Sequence, residues 1–449
     1  MRVSVGDMTE GRLHGKIVRF ALPLIATNFL QLFFNMADLA VAGRFAGASA
    51  LGAVGSTTTS IWLFTGFLIG VSNGVNVIVA RDLGAKDASG TVKSIHTSFL
   101  LCLIVGLLSL FVGLFGTTPL LRLLNTRPEL LSDAALYLKI CAAGLPALAL
   151  YNFGNATLSA VGDTKTPLFY LAISGVVNII LNLIFVIVFH LGVAGVALAT
   201  TISQYLSAVL ILRVLIRTPG LLNLRMSEMK LDAGKTKSIL AIGLPMGLQN
   251  TIFNISNLFL QSGLNSFDAV TVAGSTAAGN ADNIAYNVMM AFYTAASSFI
   301  SQNFGAKKPK RILQSYLICQ GYSFGIGLIL GVGFFVFGEA FISIFNTEPA
   351  VIAAGMERLR VMALAFMLSA VMDCTTYAVR GLGRSLIPTA IMLLGVGLFR
   401  VVWVLFIFPL HHTLGMLYAL YPVSWGLTAA MEVVCFLVVY HKESKKLRA

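Results

Sequence analysis

Charge is what this chain has least of. Only 11% of its 449 residues are Asp, Glu, Lys or Arg, against roughly 25% in an average soluble domain. That shortage excludes a soluble globule, and it excludes intrinsic disorder, which needs charge and few apolar residues. Cysteine is also scarce. The five present (Cys102, Cys141, Cys319, Cys374, Cys435) lie inside apolar stretches with no C-x-x-C spacing, so they read as small core residues. No phosphate loop, H-E-x-x-H or G-x-S-x-G occurs, and the longest loop, Arg217 to Lys237, leaves no room for a catalytic domain. These absences speak against an enzyme, a nucleotide-driven pump and a resident cofactor. His411-His412 is a lone pair at a helix end. Strict alternation is missing as well: Phe169 to Phe189 is apolar on every side, which excludes a transmembrane barrel.

What the chain does have is apolar residue, 57% of the total, gathered into runs long enough to cross a bilayer. The hydropathy predicts an all-α polytopic membrane protein with twelve spans, near 17–42, 50–80, 95–116, 135–160, 168–190, 193–216, 239–263, 270–300, 314–337, 357–381, 389–409 and 415–440. The first run follows a charged leader but is longer than a signal peptide's core and carries Pro23, Asn28, Asn35 and Asp38. It reads as a retained span. The net charge of +13 does not point to nucleic acid, because the basic residues sit mostly in short loops and report orientation. With both termini cytoplasmic, only Arg44, Arg122, Arg127, Lys139, Arg358 and Arg360 fall toward the outside, and Arg400 lies within a span.

The two halves of the chain are related. Arg81-Asp82-Leu83-Gly84-Ala85-Lys86 returns as Gln302-Asn303-Phe304-Gly305-Ala306-Lys307, Leu124-Asn125-Thr126-Arg127-Pro128 as Phe345-Asn346-Thr347-Glu348-Pro349, and Gly162 and Pro167 as Gly383 and Pro388, all at an offset of 221. Ala21-Leu22-Pro23 has its counterpart in Gly243-Leu244-Pro245. An even number of spans per half makes the repeats parallel, related by an axis along the membrane normal. The expected organisation is an amino-terminal lobe over 1–216, a cytoplasmic linker over 217–238 and a carboxy-terminal lobe over 239–449. That layout favours a secondary transporter.

Few ionisable groups remain at membrane depth, where a carboxylate costs roughly 2.5–3.5 kcal/mol on insertion scales. They are Asp38, Asp282, Asp373, Glu432 and one base, Arg400. Gln31, Asn35 and Asp38 share a helical face. Candidate partners in the same half are Tyr137, the Asn152/Asn155 and Asn178/Asn182 pairs, and Thr200. Converged on one carboxylate, such groups would coordinate sodium (Asp38, Asn178, Asn182, Thr200) or hydrogen-bond the protonated acid. The competing reading is that the amides only hold helices together, at about 0.6 kcal/mol each. In the second half, Arg400 needs a counter-charge, which Asp373 or Glu432 would provide. Asp282 beside Asn280 and Asn283 stays ambiguous. The run Gly66-x-x-x-Gly70-x-x-x-Gly74 permits close helix contact. Met289 and Met290, like Gln31 and Asn35, are candidates to line a substrate pocket.

The first span with Pro23, Gln31 and Asp38, the Arg81–Lys86 stretch and its Gln302–Ala306 counterpart, Gly381-x-Gly383, and Ala199-Thr200 with Ser203-Gln204 together resemble the multidrug and toxic-compound extrusion family, from about Lys16 to Tyr440. The resemblance implies two six-helix bundles in a V, in the cell's inner membrane, that export cationic or amphipathic small molecules in exchange for protons or sodium, as a monomer. It also implies that Asp38, Tyr137, Asn152, Asn155, Asn178 and Thr200 form a cation site, with Pro23 where the first helix bends. Asn182 stands where many members carry aspartate, leaving one carboxylate and so one ion per cycle. Gln249 stands where some carry glutamate, which weakens a second sodium site in a carboxy-lobe polar group with Asp373. The alternative function is a flippase for a lipid-linked saccharide of the same superfamily. It would need several basic residues to grip a pyrophosphate.

Overall fold

The structure, a computed structural model, describes residues 7–124 and 126–448. Asn125, within one of the recurring motifs, and Arg2 of the charged leader lie outside them. The described residues contain no strand and twelve long helical segments. These are α1 (Leu13–Phe45), α2 (Ala48–Gly84), α3 (Ala88–Leu123), α4 (Pro128–Ala160), α5 (Lys165–Val188), α6 (Gly192–Arg217), α7 (Ala233–Leu264), α8 (Ala269–Gly305), α9 (Pro309–Ser343), α10 (Pro349–Gly381), α11 (Leu386–Leu410) and α12 (Leu414–Arg448). All but α7 and α8 are apolar enough along one window to count as membrane spans by composition alone. The other two carry amides along their length, including Gln249, Asn250, Asn254 and Asn257 on α7 and Asn280, Asn283 and Asn287 on α8.

Local chemistry sets where the helices begin. Asp87 caps α3 by accepting from the Gly90 N–H at 2.8 Å, and Asp268 caps α8 through the Thr271 N–H at 2.7 Å. Asp163 accepts from the Lys165 and Thr166 N–H groups at 3.1 and 3.0 Å at the head of α5. Pro128, Pro309 and Pro349 occupy the first turn of α4, α9 and α10, where a missing N–H costs nothing. A helix of 36 residues such as α3 is about 54 Å long at 1.5 Å per residue, well beyond the roughly 30 Å of hydrocarbon. The helices therefore outrun the hydropathy at both ends.

Large apolar side chains face outward along α3 (Leu108, Phe111, Val112, Phe115) and α9 (Ile329, Val332, Val336, Phe337). A water-soluble protein rarely exposes such ridges; lipid is their solvent.

The chain divides into two compact units. One contains Leu22–Asn250, the other Met8–Ala21 with Thr251–Ala449. The opening turns of α1 thus belong with α8–α12, and those of α7 with α2–α6. In the first unit α2 meets α7 along the glycine run. A Cβ on Gly70 would lie 2.4 Å from the Gly247 nitrogen, and one on Gly74 2.4 Å from the Ile239 carbonyl oxygen. Beneath this seam Phe99 packs edge-on against Phe153, with ring centroids 5.7 Å apart. The start of α7 is tied to the end of α2 by Lys235–Asp82 (2.5 Å), and the residue ahead of it to α3 by the Asp232 N–H donating to Thr97 Oγ1 (3.1 Å). In the second unit the residues ahead of α1 are held the same way at the α8–α9 turn. The Met8 N–H donates to Gln302 Oε1 at 2.8 Å, and the Arg311 guanidinium donates to the carbonyls of Met8, Glu10 and Gly11. The internal repeat is visible in the backbone too. Lys86 and Lys307 both take φ 55°, and Gly162 and Gly383 take φ 87° and 81°.

Candidate functional site

Asp38 sits in the last third of α1 and is 8% exposed. Two elements reach it. Asn182 on α5 donates Nδ2–H to Asp38 Oδ1 at 2.5 Å, and Thr200 on α6 donates its hydroxyl to Oδ2 at 3.0 Å. Asn178, one turn before Asn182, completes the ring. Its Oδ1 accepts from Asn182 Nδ2 at 3.3 Å, and its own amide reaches Thr200 Oγ1 at 3.4 Å. Asn178 and Asn182 are both buried, and the helix widens into a π-turn at Ile184–Val188, just past Asn182. Such turns are frequent at functional sites. Tyr137 on α4 is buried within electrostatic reach of Asp38 and hydrogen-bonds to Cys141.

Magnitudes indicate what this ring can do. Hydrogen bonds to an ionised group contribute roughly 1.5–3 kcal/mol each, and a carboxylate at depth costs about 2.5–3.5 kcal/mol. Two such bonds balance the charge without a large surplus. Asn182 Oδ1 is buried with no hydrogen-bond partner. It is an oxygen available to a cation, or to a proton on Asp38 if the amide turns end for end.

Four of the seven residues expected around Asp38 converge in one hydrogen-bonded ring, Asp38 itself, Asn178, Asn182 and Thr200, and Tyr137 is buried nearby with no hydrogen bond to the ring among the described residues. Asn152 and Asn155 do not converge on it; among the described residues no hydrogen bond joins either to the ring, and Asn155 Oδ1 is buried without a partner. Gln31 and Asn35 are exposed and share no hydrogen bond with Asp38. Pro23 lies inside a continuous α1, one residue past the boundary between the compact units, and its carbonyl accepts from Thr27 Oγ1 at 2.9 Å.

The polar residues of the second half arrange themselves differently from expectation. Arg400 is 1% exposed, but among the described residues neither Asp373 nor Glu432 pairs with it. Its Nη1 donates to Asn257 Oδ1 at 2.9 Å, and the guanidinium lies over the rings of Tyr421 (4.9 Å), Phe253 (5.2 Å) and Trp425 (5.8 Å). Asp282 pairs instead with Arg358, Nη2 to Oδ2 at 2.5 Å. The sequence places Arg358 near an outer helix end, whereas α10 begins at Pro349 and carries Arg358 more than two turns inward. Pro349 in the first turn is the signal that sets this start. Asp373 accepts from Ser369 Oγ at 3.2 Å, and Glu432 is fully buried. Arg380 is also buried, stacked over Tyr377 at 5.4 Å. Gln249 falls in the other compact unit.

Met289, Arg358, Arg400 and Asp282 line one cavity of about 480 Å³ between α7, α8, α10, α11 and α12, whereas Met290, half-buried on α8, is not among its lining residues. His412 is accounted for structurally, by Ser266 at 2.7 Å and by stacking on Phe267 at 4.7 Å. All cysteines are free thiols, and no group of three His, Cys, Asp or Glu able to hold a metal occurs among the described residues.

Comparison with known proteins agrees with this architecture. The MatE family model matches residues 23–184 and 245–405, once in each half. The chain is 31% identical over 356 residues to the probable multidrug resistance protein YpnP of Bacillus subtilis, covering 79% of each chain. It is 25% identical over 417 residues to the probable multidrug resistance protein NorM of Thermotoga maritima, covering 90% of this chain and 87% of that one. A MOP superfamily transporter from Pyrococcus furiosus superposes with a TM-score of 0.91 over 99% of both chains, at 21% identity. With matches in both repeats and a relative alike over most of its length, this chain belongs to the MatE family of multidrug and toxic-compound extrusion transporters.

Proposed function

We propose that this chain is a secondary active antiporter of the inner membrane, monomeric and with both termini cytoplasmic. It exports cationic or amphipathic compounds in exchange for protons or sodium. The coupling group is Asp38. The observation that carries this reading is a buried carboxylate within a membrane-spanning helix of the first compact unit, held by Asn182 at 2.5 Å and Thr200 at 3.0 Å.

One negative charge neutralises one cation at a time. A proton or a sodium ion entering from outside takes the carboxylate, and a cationic substrate loses its partner and leaves. The Asn182 amide serves both states, turning Nδ2 toward the ionised acid and Oδ1 toward the proton or sodium. Sodium would find hard oxygen donors in Asp38, Asn178, Asn182 and Thr200. An empty, ionised Asp38 is costly to carry through a closed intermediate, and that cost enforces exchange. Swapping one monovalent cation for one proton moves no net charge, so voltage contributes nothing to the cycle. A neutral substrate would gain roughly 2.3 kcal/mol per charge at 100 mV.

The test is efflux of a monovalent cationic dye from proteoliposomes, with sodium present or absent at fixed pH, then with a pH jump in sodium-free buffer. Wild-type protein concentrates dye uphill under at least one gradient, and Asp38→Asn abolishes uphill movement under both. Undiminished uphill transport by Asp38→Asn removes Asp38 from the coupling step. Voltage dependence for a monovalent dye refutes the one-for-one scheme.

A further inference from the structure

Along residues 31–40 the first helix leaves most of its surface uncovered. Gln31, Phe33, Asn35, Met36, Leu39 and Ala40 are exposed, and only Leu32, Phe34, Ala37 and Asp38 are shielded to any degree. A helix held along so narrow a strip depends on few contacts. Asp38 supplies one, through Asn182 and Thr200. Phe34 supplies another. It lies one turn before Asp38 on the same face of α1, and its ring fills the space a side chain would take at Gly175 on α5. A Cβ there would come to 2.5 Å from Phe34 Cδ2 and closer still to Cε2 and Cζ. Gly175 is buried, one turn before Asn178 and two before Asn182. The two helices thus run past one another in the same direction, Phe34 against Gly175 and, one turn on, Asp38 against the amides. Any side chain at 175 displaces the ring. Carbon atoms in contact settle at about 3.5–4.0 Å, so even the methyl of alanine pushes it back by about 1 Å or more. The bonds to Asp38, at 2.5 and 3.0 Å, tolerate little of that before they pass out of hydrogen-bonding range.

We propose that Phe34, seated in the notch at Gly175, is a positioning residue for ion coupling: it anchors the second half of α1 so that Asp38 stays in register with Asn178, Asn182 and Thr200. The role rests on the reading of Asp38 as the coupling group. Exchange is enforced because an empty, ionised Asp38 is costly at membrane depth. With α1 unanchored the carboxylate leaves its amides for water, that cost falls, and the ion crosses without cargo.

The test is ion flux into proteoliposomes of the full-length chain, without and with a monovalent cationic dye, under a pH gradient in sodium-free buffer and under a sodium gradient at fixed pH. The ratio of dye-free to dye-coupled flux does not depend on how much protein folds. Phe34→Ala raises it at least about tenfold, the worth of one hydrogen bond to a charged group, and adding Asp38→Asn removes the dye-free flux. Gly175→Ala evicts the ring and does the same, and combining it with the shorter side chain of Phe34→Leu recovers part of the coupling. An unchanged ratio in Phe34→Ala or in Gly175→Ala, or dye-free flux that survives Asp38→Asn, overturns the proposal. Should Phe34→Ala fail to fold, Gly175→Ala and its rescue decide. Hydrogen exchange over residues 31–40 of the purified chain tells this failure from failure of the transport reading. Faster exchange in Phe34→Ala with no dye-free flux means that Phe34 anchors a helix whose carboxylate does not couple. Unchanged exchange, with uphill transport still abolished by Asp38→Asn alone, means that Asp38 couples without this anchor.

Discussion

Arg358 and Arg400 line the same cavity and are balanced differently, which makes their substitutions behave differently. Arg358 and Asp282 compensate one another, with side-chain exposures of 13% and 22%. Removing one partner strands the other, at about 3–5 kcal/mol for a buried pair. Asp282→Asn and Arg358→Gln should therefore each lower the melting temperature markedly, whereas the double substitution recovers much of the loss. A thermal-shift double-mutant cycle measures the coupling, and additive losses would show the pair to be incidental. At this scale the sequence was informative wherever a polar group stood alone in an apolar run. Asp38, the Asn178/Asn182 pair and Thr200 are conspicuous for that reason, and they do meet. Sequence could not distinguish Asn155 from Asn178, because both are amides at helical spacing and only neighbouring helices decide what each faces. Nor could it assign partners among the acids and arginines of the second half. Arg400 and Asp373 look complementary in one dimension, yet rings and an asparagine surround the guanidinium.

Among elements, the α2–α7 seam is one of the close backbone contacts, with α8–α10 and α9–α10. Gly74→Ala would put a methyl 2.4 Å from a backbone oxygen of α7, and since neither helix backbone can yield locally, overpacking of about 1–3 kcal/mol follows. The variant should show reduced yield of folded protein and a lower melting temperature, while Gly55→Ala on the same helix, which meets nothing within 4 Å, serves as the control. The opposite sign is expected at the α2–α3 and α8–α9 turns. Lys86 and Lys307 are exposed and left-handed, a conformation glycine takes without strain. Lys86→Gly and Lys307→Gly should each stabilise by up to about 1 kcal/mol, read as an upward thermal shift. Hydropathy located the twelve long helices of the described residues but not their ends, which lie in capping and proline signals such as Asp87, Asp268 and Pro349. The π-turns of α5 and α11 were invisible, since a widened turn leaves composition unchanged.

For the whole molecule, the duplication was legible at the turns. The stretches that recur at a constant offset, 81–86 with 302–307 and Gly162 with Gly383, are the places where the backbone leaves the helix. What the one-dimensional repeat did not display is that each unit includes the opening turns of the other repeat's first helix. A gene split at the polar linker would consequently yield two polypeptides, each missing a strip of its own interior. A fragment of residues 1–216 would present the bare Gly70 and Gly74 groove to lipid and be degraded, but one extended to Asn250 would shield that groove and persist. Pulse-chase turnover of the two fragments measures the difference, and equal lifetimes would mean that the interlacing is dispensable to the integrity of either part.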